Sequence, residues 1–239
     1  MPARLTLMAG VPRYALYWVP RPESALARFG ARWLGWDIET GAEVSLAETA
    51  GLPPALHAAV TGEPRRYGFH GTLKAPFRLL EGWSEGDLID AAAEFARRRM
   101  PISSAPLRME ALGSFLALRP AQPAPALNGL ASECVVWFER FRAPLTEAEV
   151  SRRRLGSLSP AQDELLARWG YPFVFGEFRF HMTLTGTLYA ELRARVMTAL
   201  DSTLADVLTT PLDVADLVLT VEPEPQARFR VLRRFSFGA

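Results

Sequence analysis

The chain has 239 residues, 49% apolar and 22% charged, with 27 Lys and Arg against 26 Asp and Glu. This balance excludes a disordered, collagen-like or coiled-coil protein. It also argues against a protein that grips long nucleic acid, which needs a strong basic surplus to release counterions. The length allows one large domain or two lobes. A single cysteine, Cys134, rules out an intrachain disulfide and suits a reducing cytoplasm. No apolar run approaches the roughly 18 residues needed to cross a bilayer. The first residues, with Arg4 and Arg13 flanking a short apolar patch, lack a small-residue cleavage site and are not read as a signal peptide.

In chain order, Arg13–Val19 is rich in β-formers and predicts a strand closed by Pro20. Glu23–Trp36 predicts a helix, with Leu26, Phe29, Trp33 and Leu34 on one face. A strand through His70 follows. Ser84 with Asp87 forms a capping box, and the helix it opens ends before Pro101. A strand near Leu107–Leu112 closes the first half. The second half restarts with a strand at Ser114–Leu118 and a Pro-rich turn over Arg119–Pro125. Leu127, Leu130, Ala131, Cys134, Val135, Phe138 and Phe141 then recur at helical spacing, although Cys134–Phe138 alone would also suit a strand. An insert over Pro144–Gly170 carries two helix starts, Thr146-x-x-Glu149 and Ser159-Pro-x-Gln162. A strand through His181, a helix over Ala190–Leu208, and strands at Leu212–Val221 and Arg228–Phe237 complete the chain.

Two segments repeat one pattern: Tyr67-Gly-Phe-His-Gly-Thr-Leu-Lys74 and Phe178-Arg-Phe-His-Met-Thr-Leu-Thr185. Each half therefore reads strand-helix-strand-helix-strand. A duplicated α+β protein of two lobes, 1–113 and 114–239, follows, with terminal strands free to cross between them. Side chains alternate across a strand. His70, Thr72 and Lys74 share a face in the first segment, and Arg179, His181 and Thr183 in the second. Tyr67, Phe69, Gly71 and Leu73 share the opposite, core-facing side. One polar face and one apolar face, twice in the same register, point to a wet site shared by both copies.

Two histidines with two hydroxyls suit acid–base cleavage of a phosphate ester. An imidazole titrating near 6.5 serves as neutral base or charged acid around neutral pH. Thr72 and Thr183 would bond the non-bridging oxygens, and Lys74 and Arg179 would neutralise phosphoryl charge. Paired histidine catalysis predicts a bell-shaped rate profile between about pH 5 and 8. A cleft that binds a nucleotide or phosphosugar without cleaving it is an alternative. So is a metal site, although only Glu177 adjoins the two histidines as a further ligand, and catalytic zinc wants three. His57 is read as structural or surface; Tyr14 and Tyr17 are read as core packing, with either able to reach the cleft and Tyr17 taken as the one to meet phosphate. Arg65, Arg66 and Arg152–Arg154 read as solvated faces, with a phosphate-attracting rim as the functional alternative.

The motifs His70-Gly-Thr72 and His181-Met-Thr183 resemble the signature of the 2H phosphoesterase superfamily. The segments Arg13–Tyr17, Phe29–Asp37, Tyr67–Pro76, Phe141–Leu145, Arg168–Pro172 and Phe178–Gly186 resemble an uncharacterised bacterial family within it, associated with phosphonate-utilisation operons. The resemblance spans about residues 13–237. It implies a bilobal, pseudo-twofold α+β fold with two antiparallel sheets lining a central cleft and helices outside. It further implies metal- and cofactor-independent cleavage of a small, often cyclic phosphodiester, such as a cyclic ribose phosphate.

Overall fold

The computed structural model describes residues 10–49 and 51–238. Arg4 and the leader reading at the N-terminus lie outside them. The elements run β1 (Arg13–Trp18), α1 (Ala25–Leu34), β2 (Trp36–Asp37), β3 (Ala42–Glu43), α2 (Pro54–Arg65), β4 (Gly71–Arg78) and α3 (Glu85–Arg97). Then come β5 (Ile102–Ser104), β6 (Leu107–Leu112), β7 (Phe115–Pro120), α4 (Pro125–Trp137), α5 (Glu147–Arg154) and α6 (Pro160–Trp169). The chain ends with β8 (Met182–Thr183), α7 (Ala190–Ala205), β9 (Leu212–Val214), β10 (Asp216–Glu222) and β11 (Arg230–Ser236).

Local chemistry sets the helix ends. The side chains of Ser84, Thr146 and Ser159 each cap the third residue of their helix, and Asp87, Glu149 and Gln162 reach back to close the box. Gly35 and Gly170 end α1 and α6 in the left-handed region that favours glycine. The apolar run around Cys134 is helical, and Cys134 is fully buried on it. The segment expected as one strand over Leu212–Val221 breaks at Ala215. Its first part pairs with β5 and its second with β1.

The fold is antiparallel α+β. The two expected half-sheets join edge to edge into one seven-stranded sheet, in the order β11-β10-β1-β4-β8-β7-β6. Crossing is extensive: β6 from the first half pairs with β7, and β10 pairs with β1 and carries β11 on its outer edge. One face is covered by α1, α3, α4 and α7, which bury Trp33, Leu88, Phe95, Leu130 and Leu200 against Leu16, Leu73, Leu118 and Leu219. This is the main core, and apolar area removed from water there is worth about 25 cal/mol per Å². The other face carries a small cluster around Tyr17, Trp36 and Phe229, and leaves a cleft beside it.

The half-sheets meet through one residue pair, Gly71 opposite Met182. Glycine is needed there, because a Cβ at residue 71 would lie 2.3 Å from Phe180 Cζ. Phe180 is itself buried, so the ring cannot swing into solvent. Gly71→Ala is therefore expected to cost about 1–3 kcal/mol by overpacking. Urea unfolding measures this directly, and an unchanged midpoint would mean that the ring and strand do not meet as described.

Candidate active site

Each histidine sits in the residue just before a strand, His70 ahead of β4 and His181 ahead of β8. Antiparallel pairing of Gly71 with Met182 sets His70 beside Thr183 and Thr72 beside His181. His70 and His181 are then diagonal neighbours, a relation that separates Cα atoms by about 7–8 Å. All four side chains line one cleft of about 690 Å³.

Both imidazoles are oriented in the same way. His70 Nδ1 lies 2.9 Å from the carbonyl of Gly68, and His181 Nδ1 lies 2.7 Å from the carbonyl of Arg179. A carbonyl only accepts, so each Nδ1 carries the proton and donates. Each Nε2 is thereby left for the cleft. His70 Nε2 accepts from the Thr72 hydroxyl at 3.0 Å. Gly68 adopts φ 73°, and a Cβ there would come within 2.7 Å of Ile38, so glycine is required to aim that carbonyl.

The two rings differ in environment. His70 stacks on buried Tyr17, with centroids 3.7 Å apart and planes inclined by 21°. Burial first, and the nearby His181 charge second, lower the His70 pKa to about 4 against the opposing bond to the Gly68 carbonyl. His181 lies beside Phe115 at 5.8 Å. Its pKa is also lowered, first by burial, with the Arg179 carbonyl opposing and the Arg119 charge adding.

Most of the residues expected from the sequence meet in the cleft: His70, His181, Thr72, Thr183, Arg179 and Tyr17 all line it. Lys74 does not, which corrects the expectation that it meets phosphate. Strand β1 pairs Tyr17 with Thr72 but Leu16 with Lys74, so Leu73 is an extra residue. This bulge turns the next side chain to the core face. Lys74 is 4% exposed, with Nζ 2.9 Å from Glu139 Oε2 and 3.2 Å from the Val135 carbonyl. Strict alternation also fails before the strands. Tyr67 and Phe178 line the cleft, while Phe69 and Phe180 are core.

Other readings resolve plainly. Tyr14 points to the core and donates to Glu85 at 3.0 Å. His57 is structural: it is buried, with Nε2 2.8 Å from the Trp33 carbonyl. Arg65 and Arg66 are not simply solvated. Arg65 bonds the Leu34 carbonyl, and Arg66 pairs with buried Glu222 at 2.5 Å. Burial raises the Cys134 thiol pKa, which removes it as a nucleophile. Among the described residues, no three His, Cys, Asp or Glu side chains gather as a metal cluster, and no helix is long and apolar enough to cross a membrane. Glu177 lies on the cleft wall, accepting from Gln162 at 2.7 Å. Sequence reasoning did not single out Arg13, Tyr171 or Phe173, which also line the cleft.

An antiparallel α+β protein with paired histidines in one cleft is thus defined. It belongs to the family described as a protein of unknown function, DUF1045, whose model matches residues 72–230. The chain is 39% identical over 230 residues to a protein of Janthinobacterium sp. (strain Marseille) named ribose 1,5-bisphosphate phosphokinase PhnN, spanning 95% of this chain and 51% of that one. A protein of the same name from Laribacter hongkongensis (strain HLHK9) is 35% identical over 225 residues, spanning 92% and 51%. The chain therefore spans about half the length of these curated relatives. Solved structures that resemble it include E. coli LigT complexed with 3′-AMP, at 14% identity and TM-score 0.46, covering 95% of this chain and 98% of that one. Another is TT0787 of Thermus thermophilus, at 17% identity and TM-score 0.47, covering 95% and 98%.

The Lys74 correction has a direct test. Glu139 keeps Arg142 at 2.6 Å when the lysine is lost. Lys74→Met should cost about 1–3 kcal/mol and change inorganic phosphate affinity by less than about twofold, the latter read by titration calorimetry. Tenfold weaker phosphate binding with the fold intact would return Lys74 to the cleft.

Proposed function

We propose that the chain is a phosphoesterase that cleaves a small, cyclic phosphodiester without a metal, using His70 as general base and His181 as general acid. The observation that carries this reading is the Gly71–Met182 pairing, which gathers two imidazoles and two hydroxyls on one face. A cleft of about 690 Å³ has the capacity of a small-ligand site and not of a track for a long polymer. Its charged lining consists of Arg13, Arg153 and Arg179 against Glu177, so it is basic within a nearly neutral chain.

His70 is assigned the base role because its pKa, lowered to about 4 by burial, leaves Nε2 unprotonated at neutral pH. It takes a proton from the attacking water as the new P–O bond forms. His181, protonated when the phosphate anion enters, gives its Nε2 proton to the sugar oxygen as the old P–O bond breaks. Thr183 donates to a non-bridging oxygen, and Thr72 turns its hydroxyl to another once the attacking water takes its place at His70 Nε2. The diagonal placement of the rings matches entering and leaving oxygens on opposite sides of phosphorus. The product is a phosphomonoester, and the resemblance to the phosphonate-operon family makes a cyclic ribose phosphate a fitting substrate.

His70→Ala or His181→Ala is expected to reduce turnover of 2′,3′-cyclic nucleotides or cyclic ribose phosphates by about 10²–10⁴-fold. Circular dichroism should stay unchanged. Mass spectrometry of the products reads the result, and wild-type rates in both variants would end the proposal.

The pKa directions also move the expected bell to lower pH. The base works above its pKa near 4, and the acid works below a pKa that lies under 6.5. The profile of kcat/KM should therefore peak between about 4 and 6.5. The alkaline limb of kcat should lie at higher pH, because bound phosphate favours the charged His181. A flat kcat/KM across that window would contradict paired histidine catalysis.

A further inference from the structure

The cleft continues past the imidazoles toward the helical insert, and its chemistry changes there. Tyr17, Tyr67 and Tyr171 line this end with Arg13 and Arg153. Tyr17 stacks on His70 at 3.7 Å, so this end is contiguous with the histidine site. Arg153, from α5, lies 5.2 Å from the centre of the Tyr171 ring.

Tyr14 bonds Glu85, whereas the hydroxyls of Tyr67 and Tyr171 have no hydrogen-bond partner among the described residues. Arg154 is held by Asp163 at 2.7 Å, but its neighbour Arg153 has no carboxylate partner among the described residues. Arg153 is half-buried; Glu149, one turn back on α5, is its nearest opposing charge but is itself bonded to Arg78 and Thr146, while Arg13 and Arg152 repel it. Arg13 gives its Nε to Glu222, which it shares with Arg66, so two guanidiniums face one carboxylate. Glu177, the carboxylate on the cleft wall, is engaged by Gln162. The local balance favours an incoming anion.

We propose that Arg153 and Arg13, with the hydroxyls of Tyr67 and Tyr171, form a second anion site. It takes a phosphomonoester carried by the same molecule whose diester lies between His70 and His181. The substrate class is then a small cyclic phosphodiester with a separate terminal phosphate. A lone carboxylate would satisfy Arg153 but leave other donors idle. A phosphate with three terminal oxygens and nearly two charges at neutral pH engages two guanidiniums and both hydroxyls at once. The diester half of this assignment rests on the phosphoesterase reading. The terminal-phosphate half rests on the donors alone.

The test separates the two halves. The probes are adenosine 2′,3′-cyclic phosphate with and without a 5′-phosphate, titrated calorimetrically into the full chain carrying His181→Ala. The 5′-phosphate is expected to tighten Kd at least about tenfold. Adding Arg153→Gln should bring the ratio below about twofold, while Arg152→Gln, which removes the same charge from the same helix outside the cleft, should leave it high. A starting ratio below about twofold, equal effects of the two arginine variants, or no binding of either probe at millimolar concentration would overturn the second site. Wild-type incubation with both probes is read alongside by mass spectrometry. A high ratio without cleavage would keep the anion site and remove the phosphoesterase reading, and cleavage without a ratio would do the reverse.

Discussion

The whole site hangs on one backbone pairing. Gly71 and Met182 are the point where two half-sheets become one, and the residues on either side of each are the two histidines and two threonines that line the cleft. Pairing fixes register, and a slip of one residue would send every side chain to the opposite face. Such a slip of β8 against β4 would put the His181 imidazole into the helix-covered core while β4 stays fixed by its pairing with β1. The pairing is narrow, since β8 has only two residues, and it is secured from the core side. Phe180 packs where a Cβ of residue 71 would stand, and Met182 is fully buried. Core packing, more than sheet hydrogen bonding, therefore holds the catalytic register.

Around this point the two copies are alike in orientation and unlike in environment. Each imidazole gives its Nδ1 proton to the carbonyl two residues back, which settles the tautomer in both. The first copy needs a left-handed glycine to present that carbonyl, while the second uses Arg179. Burial against Tyr17 then distinguishes His70 from His181. A duplicated frame thus supplies two equivalent groups, and packing gives them different environments, the difference on which the proposed division into base and acid rests.

Local patterns were legible in the sequence, and so were the groups that alternate within a strand. The three capping boxes needed only four-residue windows, and the helices they open are present. The His-x-Thr copies revealed their shared polar face before any fold was known. Lys74 was misplaced because a bulge at Leu73 breaks the period of two, and nothing in Thr72-Leu-Lys74 announces a bulge. Tyr67 and Phe178 escaped for a related reason: they precede the regular strands, where alternation does not apply. Arg153 was hidden in a run of three arginines. Which of the three turns inward depends on where the helix docks, a tertiary fact. The crossing of β6, β10 and β11 between halves likewise depends on long-range pairing.

The docking of that helix has a consequence of its own. Glu149 closes the capping box at Thr146 and also accepts from Arg78 at 2.9 Å, at the end of the strand that begins after His70. Burial opposes its ionisation, yet these bonds hold its pKa down to about 2. The insert is thereby clamped at one carboxylate to the strand that follows His70, and it brings Arg153 and Gln162 to a cleft whose other walls come from the sheet and its flanking loops. Exchanging the two-helix segment, with the clamp retained, offers a route to new preferences on an unaltered reaction centre.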